Sequence, residues 1–268
     1  MGTITLLTDF GHRDNYVGVM KGVIAGISPQ SQLIDITHAI KPQDILAARF
    51  NLLTSYEYFP AGTIHIAVVD PGVGTQRMAI AAQIATSMGV HTVIAPNNGI
   101  ITGLSVTAAV ALTNPDYWRT PHASHTFHGR DIFAPAAAHL ARGIPFDQLG
   151  VSLSVADLVR LDINDAAETN QGYCGCIQYI DHFGNLVTNI PGAQLSSQSW
   201  HIHLGKHCIP YDTTYGLAEV GSALALVGSH GYVEIAVNGS SAAEILNGDV
   251  GDSVELIYVL HELGRGAL

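Results

Sequence analysis

The segment Thr63-Ile-His-Ile-Ala-Val-Val69 predicts a buried, central β-strand, because it is almost wholly apolar and ends at the polar turn that begins with Asp70. Short apolar runs and segments of helical periodicity alternate on both sides of it. This alternation is typical of a parallel sheet covered by helices on both faces, so residues 1–164 predict an α/β domain with a largely parallel sheet. Its other predicted elements are strands at 4–7, 33–36 and 93–95 and helices at 16–27, 42–58 and 133–141.

The pattern changes at the polar stretch Asp162–Gly172, which lacks a periodic apolar face and is typical of a linker. Short β-rich pieces separated by Gly and Asn follow it, without a convincing helical period. Residues 172–268 therefore predict a smaller all-β, barrel-like domain. Its predicted strands lie at 175–180, 201–204, 223–227, 232–237 and 253–258.

The composition argues against several classes of function. The 268 residues include 22 Asp and Glu against 11 Lys and Arg, a net charge of −11, which disfavours binding to nucleic acid or to anionic lipid. Residues 78–115 carry no charge but are interrupted by polar side chains and Pro96, so they predict buried strands and turns rather than a membrane span. Cys174, Cys176 and Cys208 form no CxxC pair, which indicates reduced thiols in a cytoplasmic protein.

Polar residues follow two of the predicted N-terminal strands. Asp9 comes after the first strand and Asp70 after the third, where ligands bind in open α/β sheets, although either Asp alone suits a turn or a helix cap. The segment Gly72-Val-Gly74 differs from a dinucleotide fingerprint, because Arg77 occupies the third glycine position and no P-loop lysine follows. Arg77 is a candidate for stabilising a developing anion, with a surface arginine as the alternative.

Two further clusters place polar side chains next to glycine. His128 and Asp131 precede an alanine-rich helix, an arrangement that suits either a site or a helix N-terminus. Asp181 and Asn185 flank a Phe-Gly turn, where they could bind the ammonium and carboxylate of an amino acid or satisfy the turn itself. The sequence has no strong metal-binding spacing, and His201-x-His203 predicts a weak, exposed pair on a strand.

A series of motifs runs in order from residue 3 to about residue 258, nearly the whole chain. They are Thr8-Asp-Phe-Gly11 with Asp14, Tyr16-Val-Gly18, Lys21-Gly22, Asp35-Ile-Thr-His38, Phe59-Pro60, Val69-Asp-Pro-Gly-Val-Gly74 with Arg77, Pro96-Asn-Asn-Gly99, Phe127-His-Gly-Arg-Asp131 and Asp181-His-Phe-Gly-Asn-Leu186. Together they resemble the S-adenosylmethionine (SAM) hydroxide adenosyltransferases, or SAM hydrolases, a family related to the fluorinase and chlorinase. Asn97 is a minor departure, since many of these hydrolases have Asp there.

The resemblance implies a homotrimer in which the α/β domain and the β-barrel meet a neighbouring subunit around SAM, with no cofactor and no metal. The implied reaction is attack of water or hydroxide on C5′ of SAM, which gives adenosine and L-methionine. The set that marks the hydrolase branch falls on Asp70, Arg77 and His128. The implied substrate-binding residues are Asp9 at the ribose hydroxyls, Asp181 and Asn185 at the methionine end, Ser229, Gly239 and Tyr215 at the adenine, and Phe10, Asp14 and Asn98.

Three alternatives stay open on the sequence. A SAM-dependent halogenase would use chloride as its nucleophile, but the Asp70 carboxylate near a halide pocket would repel the anion. A SAM- or adenosine-binding protein would keep the same pocket without turnover. A metal phosphohydrolase could use Asp9, Asp70 and His128 as ligands, although their spacing is unspecific. Hydrolysis of SAM is the function that we expect.

Overall fold

A computed structural model of the chain describes residues 2–195 and 199–259. The chain folds into two compact units, Met1–Asp162 and Ile163–Leu268. The outer ends of the two predicted domain ranges, at Met1 and at 260–268, lie outside the described residues, as do residues 196–198. No helix in the described part is both long enough and apolar enough to cross a membrane.

The first unit contains a seven-stranded sheet. Its strands are β1 (Thr3–Thr8), β2 (Gln32–Thr37), β3 (Ile64–Val68), β4 (Ala79–Thr86), β5 (Gly89–Pro96), β6 (Val106–Ala111) and β7 (Val151–Leu153). In the order β2-β1-β3-β5-β4-β6-β7, the first four strands are parallel, whereas β4, β6 and β7 pair antiparallel with their neighbours. The sheet is therefore mixed and not largely parallel as predicted, because Ser87 and Met88 close a tight hairpin that turns β5 back along β4.

Buried side chains cover the sheet on both faces. Successive residues of a strand point to opposite faces, so a strand such as β1 contributes to the packing on both. On β1, Leu6 packs in a cluster with Met20 and Phe133, while the next residue, Leu7, packs in a second cluster with Leu52. All five side chains are fully buried. Each contributes roughly 1.5–3 kcal/mol by leaving water, so the alternation along the strand stabilises packing on both of its faces.

The described residues of this unit form three α-helices: α1 (Tyr16–Ile27), α2 (Ile45–Leu53) and α3 (Ala134–Ala141). The helix predicted at 42–58 is shorter in the structure, because Gln43 has a φ of +68° and Asp44 caps the helix by accepting a hydrogen bond from the backbone of Ala47 at 2.9 Å. A π-helical turn, Gly129–Phe133, leads directly into α3.

The second unit contains an eight-stranded antiparallel sheet. Its strands are β8 (Ala167–Thr169), β9 (Gly172–Ile180), β10 (Leu186–Pro191), β11 (Trp200–Leu204), β12 (His207–Pro210), β13 (Ala223–Val227), β14 (Tyr232–Val237) and β15 (Ser253–Tyr258). The order is β12-β11-β15-β9-β10-β14-β13, with β8 beside β9. Tyr211, just after β12, bridges to Ala225 of β13, so the sheet nearly closes on itself and the predicted barrel-like fold is confirmed. One short helix, α4 (Ala242–Leu246), was not predicted.

Candidate active site

A pocket of about 420 Å³ opens in the first unit beyond the carboxyl ends of β1 and β3. The two strands are parallel neighbours with Thr8 opposite Val68, so the residues that follow them, Asp9 and Asp70, emerge at the same edge of the sheet. The side chains that line the pocket include Asp9, Phe10, Tyr16, Asp70, Phe127 and His128. The pocket therefore lies where the topology of an open α/β sheet places ligands.

Arg77 joins Asp70 to His128, two of the residues that line this pocket. Its guanidinium donates two hydrogen bonds to Asp70, from Nε to Oδ1 at 3.0 Å and from Nη2 to Oδ2. Nη2 also donates to Nδ1 of His128 at 3.0 Å. The side chains of Arg77 and Asp70 are only 8% and 6% exposed, so the ion pair is shielded from water. The three residues predicted as the catalytic set thus form one hydrogen-bonded unit.

The hydrogen bonds set the protonation pattern of this unit. A guanidinium has donors only, so Nδ1 of His128 accepts, and the proton of the neutral ring lies on Nε2. Burial, together with the charge of Arg77, lowers the pKa of His128 and favours the neutral ring. Burial raises the pKa of the Asp70 carboxyl against the opposing attraction of Arg77, which makes Asp70 a stronger base than an exposed aspartate.

One nitrogen of the guanidinium has no partner in the part of the chain that the structure describes. Nη1 of Arg77 is buried and makes no hydrogen bond to any of the described residues. A buried polar group without a partner costs about 1–3 kcal/mol, so this atom is suited to an oxygen atom of a ligand or water. The Arg77 side chain also packs on the Phe133 ring, with Cζ 5.6 Å from the ring centroid. The packing holds the unpartnered donor in one place.

The loop after β3 positions Arg77. Gly74 in this loop has a φ of +76°, and a Cβ there would overlap the carbonyl oxygen of His125. Asn98 donates from Nδ2 to the carbonyl oxygen of Val69 at 2.8 Å and so anchors the start of the loop. Asn98, predicted as a substrate contact, therefore supports the loop and is not among the side chains that line the pocket.

The π-helical turn Gly129–Phe133 follows His128 directly and places it at the pocket. Turns of this kind are frequent at functional sites, because they change the direction of a side chain within a helix. Asp131 is buried in the turn and accepts hydrogen bonds from Nε of Arg130 at 2.7 Å and from the backbone of Ser124 at 2.9 Å. Arg130 and Asp131 thus stabilise the turn, and His128, just before the turn, lines the pocket.

Three aromatic side chains form one wall of the pocket. The ring centroids of Phe10, Tyr16 and Phe127 lie between 5.1 and 5.8 Å from one another. Phe10 was predicted as a substrate-binding residue, whereas Tyr16 and Phe127 were not, although both belong to the motifs quoted above. Asp9 accepts a hydrogen bond from the backbone of Gln43 at 2.8 Å, which orients its carboxylate. Gln43 contributes its backbone N–H, and such a contact cannot be predicted from the type of side chain in the sequence.

Another pocket, of about 460 Å³, lies in the second unit. Asn185, Tyr215 and Gly239, all predicted as substrate-binding residues, line it together with Phe183. The Asp181 carboxylate is instead tied to its own turn. Its Oδ1 accepts from the backbones of Phe183 and Asn185 at 2.9 and 2.8 Å, and its Oδ2 accepts from Nδ2 of Asn185 at 3.0 Å. Asp181 therefore orients the Asn185 side chain that lines the pocket.

Tyr215 in this pocket ends a chain of hydrogen bonds. Its hydroxyl donates to Oε1 of Glu234, and Oε2 of Glu234 lies 2.9 Å from Nε2 of His230. Glu234 is only 3% exposed, and burial together with this hydrogen bond raises the pKa of Tyr215. These hydrogen bonds keep the hydroxyl of Tyr215 protonated and hold its ring in place. Glu234 was missed in the sequence, because a single acid in a strand is typical of a solvent-facing residue.

Comparison with known proteins places both units in one family. Residues 4–150 match the model described as the SAM hydroxide adenosyltransferase N-terminal domain, and residues 175–255 match the model of the C-terminal domain. The chain belongs to the SAM hydroxide adenosyltransferase family. The resemblance inferred from the motifs is confirmed.

Individual relatives match this chain over nearly its whole length. A protein named (R)-S-adenosyl-L-methionine hydrolase from Salinispora arenicola is 38% identical over 258 residues, which are 94% of this chain and 97% of the relative. The crystal structure of an uncharacterized conserved protein from Thermotoga maritima matches with a TM-score of 0.87 at 33% identity, over 95% of this chain and 99% of that one. A fluorinase from Nocardia brasiliensis is more distant, at 27% identity over 94% of this chain and 96% of the relative.

Like Asn98 and Asp181, two further predicted substrate contacts do not line either of the described pockets. Asp14 and Ser229 are exposed, and they line neither the pocket at Asp70 nor the pocket at Tyr215. Their roles in binding stay predictions. Asp70 and His128 line the first pocket together with Asp9 and Phe10, and Arg77 is linked to it through its hydrogen bonds to Asp70 and His128. Asn185, Tyr215 and Gly239 line the second pocket.

Proposed function

We propose that the protein hydrolyses SAM to adenosine and L-methionine, with water attacking C5′ of the ribose in line with the departing sulfur. The observation that carries this proposal is the shielded unit of Arg77, Asp70 and His128, with Nη1 of Arg77 unpartnered among the described residues. The reaction needs no metal and no cofactor. Reduced thiols and the soluble-type composition support a place in the cytoplasm.

The nucleophile is the difficult part of this reaction. Methionine leaves a sulfonium as a neutral thioether, so no acid is needed to protonate it. Bulk water has a pKa of about 15.7 and is a weak nucleophile. The Asp70 carboxylate, with its raised pKa, accepts the proton of the water, while Nη1 of Arg77 donates to the oxygen and stabilises the developing hydroxide. Each pKa unit by which the site acidifies the water corresponds to about 1.4 kcal/mol.

His128 orients the water and does not act as the base. Its Nδ1 is occupied by the hydrogen bond from Arg77, and its lowered pKa favours the neutral ring. The remaining ring nitrogen, Nε2, therefore carries a proton and donates to the water oxygen. Hydroxide and sulfonium annihilate charge as they react, so a site that excludes water strengthens the attraction between them.

The remaining residues bind SAM. Asp9 accepts hydrogen bonds from the ribose hydroxyls beside the aromatic wall, and Asn185 binds the methionine end with Asp181 as its support. Tyr215 and the backbone at Gly239 contact the adenine. The exposed Ser229 is a further proposed contact to the adenine. Asp14 is the remaining proposed contact to SAM.

A homotrimer completes the site in this proposal. Phe183, Leu217 and Val220 are 73%, 65% and 85% exposed, and large apolar side chains at such exposure are typical of a surface covered by substrate or by another subunit. Phe183 lines the second pocket, and a Cβ at Gly239 of that pocket would lie 3.6 Å from Cγ1 of Val220. We expect light scattering to give three 28.3 kDa chains per particle. A stable monomer with full activity would contradict the trimer without touching the chemistry.

The experiment that tests the function is chromatography of SAM incubated with purified protein and EDTA, with and without chloride. We expect equimolar adenosine and L-methionine in both conditions. A chlorinated nucleoside that requires chloride would establish the halogenase, for which the more distant fluorinase relatives are the only support among the comparisons reported above. Tight binding of SAM without turnover would establish a binding protein.

The stereochemistry at sulfur adds a second arm to the same experiment. The Salinispora arenicola relative is named a hydrolase of (R)-S-adenosyl-L-methionine. We extend that preference to this chain and expect the (R) epimer to be consumed faster than the (S) epimer. Equal rates for the two epimers would reject the preference and leave the hydrolase activity in place.

A further inference from the structure

The outer face of the β11–β12 hairpin in the second unit carries three metal-binding side chains. One donor atom each from His201, His203 and Cys208 lies within 4.8 Å of the others. None of the three lines either of the pockets described above. The two histidines were expected to be an exposed pair without a metal, and their spacing from Cys208 in sequence gave no reason to group them.

The pleat of the hairpin brings these side chains together. His201 and His203 are two residues apart on β11 and alternate with the buried Trp200, Ile202 and Leu204, so both point away from the barrel core. Cys208 is exposed and lies directly opposite His203 in the antiparallel register of β11 and β12. The two imidazole rings are 5.0 Å apart between centroids. The group is thus held by backbone pairing and not by one flexible loop.

The chemistry of the donors favours zinc. Two imidazole nitrogens and one thiolate suit a borderline-soft divalent cation, with bonds of about 2.0–2.1 Å to nitrogen and about 2.3 Å to sulfur. Such bonds place donors roughly 3.5 Å apart, which small side-chain rotations reach from the separation seen here. Glu255, exposed on β15, lies opposite His203 on its other side and adds negative charge beside the cation.

We propose that His201, His203 and Cys208 form a zinc site, with water in the fourth position. The site lies apart from both pockets and takes no part in the hydrolysis of SAM. Zinc would join the edge strand β12 to β11, next to the place where Tyr211 bridges to Ala225 and the barrel nearly closes. The bound ion stabilises this closure, because it binds the folded hairpin and not the unfolded chain.

Cobalt(II) titration of the full-length, reduced protein tests the site, because cobalt replaces zinc and a cobalt–thiolate bond gives a charge-transfer band in the near ultraviolet. We expect one cobalt per chain with this band, its displacement by zinc, and a higher melting temperature with zinc. Cys208→Ser removes the band, and His203→Gln weakens cobalt binding by about tenfold or more.

Two matched variants control the titration. His207→Gln removes a histidine next to Cys208 on the opposite side of β12, and Cys174→Ser removes another exposed cysteine of the same sheet. Both should keep the band and the affinity of the wild type. Absence of the band in the wild type would overturn the proposal. So would a band that persists in Cys208→Ser or disappears in Cys174→Ser. Circular dichroism of each variant confirms that it is folded.

Discussion

Arg77→Ala removes the residue that connects the proposed catalytic unit. The guanidinium makes two hydrogen bonds to Asp70 and one to His128, and in the proposed mechanism its Nη1 stabilises the developing hydroxide. Loss of one preorganised donor of this kind costs about 2.7–4 kcal/mol, a hundred- to a thousandfold in kcat. The affinity for SAM should change little, because the residues proposed to hold the ribose, adenine and methionine remain.

The same substitution also affects the fold, so stability has to be measured with activity. Asp70 would be left 6% exposed without its partner, and breaking a buried ion pair costs about 3–5 kcal/mol. Arg77→Lys separates the two effects, since lysine keeps a cation beside Asp70 but cannot donate in a fork to both Asp70 and His128. We expect Arg77→Lys to melt closer to the wild type and still lose most of its turnover.

The assay is SAM turnover by chromatography, alongside calorimetric SAM affinity and near-ultraviolet circular dichroism for each variant. A folded Arg77→Ala protein that turns over SAM at nearly the wild-type rate would refute the role given to Arg77. Arg77 would then be a residue that only fixes the loop after β3.

Asp181→Ala should raise KM for SAM more than it lowers kcat, because Asp181 orients Asn185 in the ground state as well; a selective fall in kcat would contradict this. Gly74→Ala should cost more than about 1 kcal/mol of stability and lower kcat, because the added Cβ would overlap the carbonyl oxygen of His125 and displace the loop that carries Arg77. The control Gly62→Ala, also at positive φ but in open space, should leave kcat unchanged. Melting and turnover assays on both variants check this. Burial lowers the pKa of His65 from 6.5 to about 3, so between these pH values the unfolded chain binds a proton that the folded chain does not. The free energy of unfolding therefore falls by up to about 1.4 kcal/mol per pH unit as the pH drops from 6.5 towards 3. Urea unfolding at two pH values in this window should show a smaller loss of stability for His65→Gln than for the wild type.

The sequence predicts best those elements whose pattern is local. Helix α1 and strands β13, β14 and β15 have the predicted bounds, because each carries a clear period of apolar residues. The mixed character of the first sheet could not be predicted in the same way. The strand β4, Ala-Ile-Ala-Ala-Gln-Ile-Ala-Thr, consists largely of small residues without strict alternation, and its antiparallel pairing depends on contacts with β5 and β6.

In the candidate site, too, the contacts between residues distant in sequence could not be predicted from local patterns. Arg77 and His128 are 51 residues apart, and only the motifs of the family connected them before the fold placed them in hydrogen-bond contact. Residues that act through neighbours carried no such signal. Asp181 was expected to touch the substrate, yet its hydrogen bonds go to its own turn, and Glu234 was missed although it holds Tyr215. Such positioning roles depend on which side chains the fold brings into contact.

Hydrolysis of SAM in water enriched in the heavy oxygen isotope tests water attack at C5′ most directly. The purified protein converts SAM in labelled water, and mass spectrometry locates the label in the products. The mechanism built on Arg77, Asp70 and His128 predicts one heavy oxygen in the 5′-hydroxyl of adenosine and none in L-methionine. Label in the amino-acid product, or adenosine that carries no label, would contradict it.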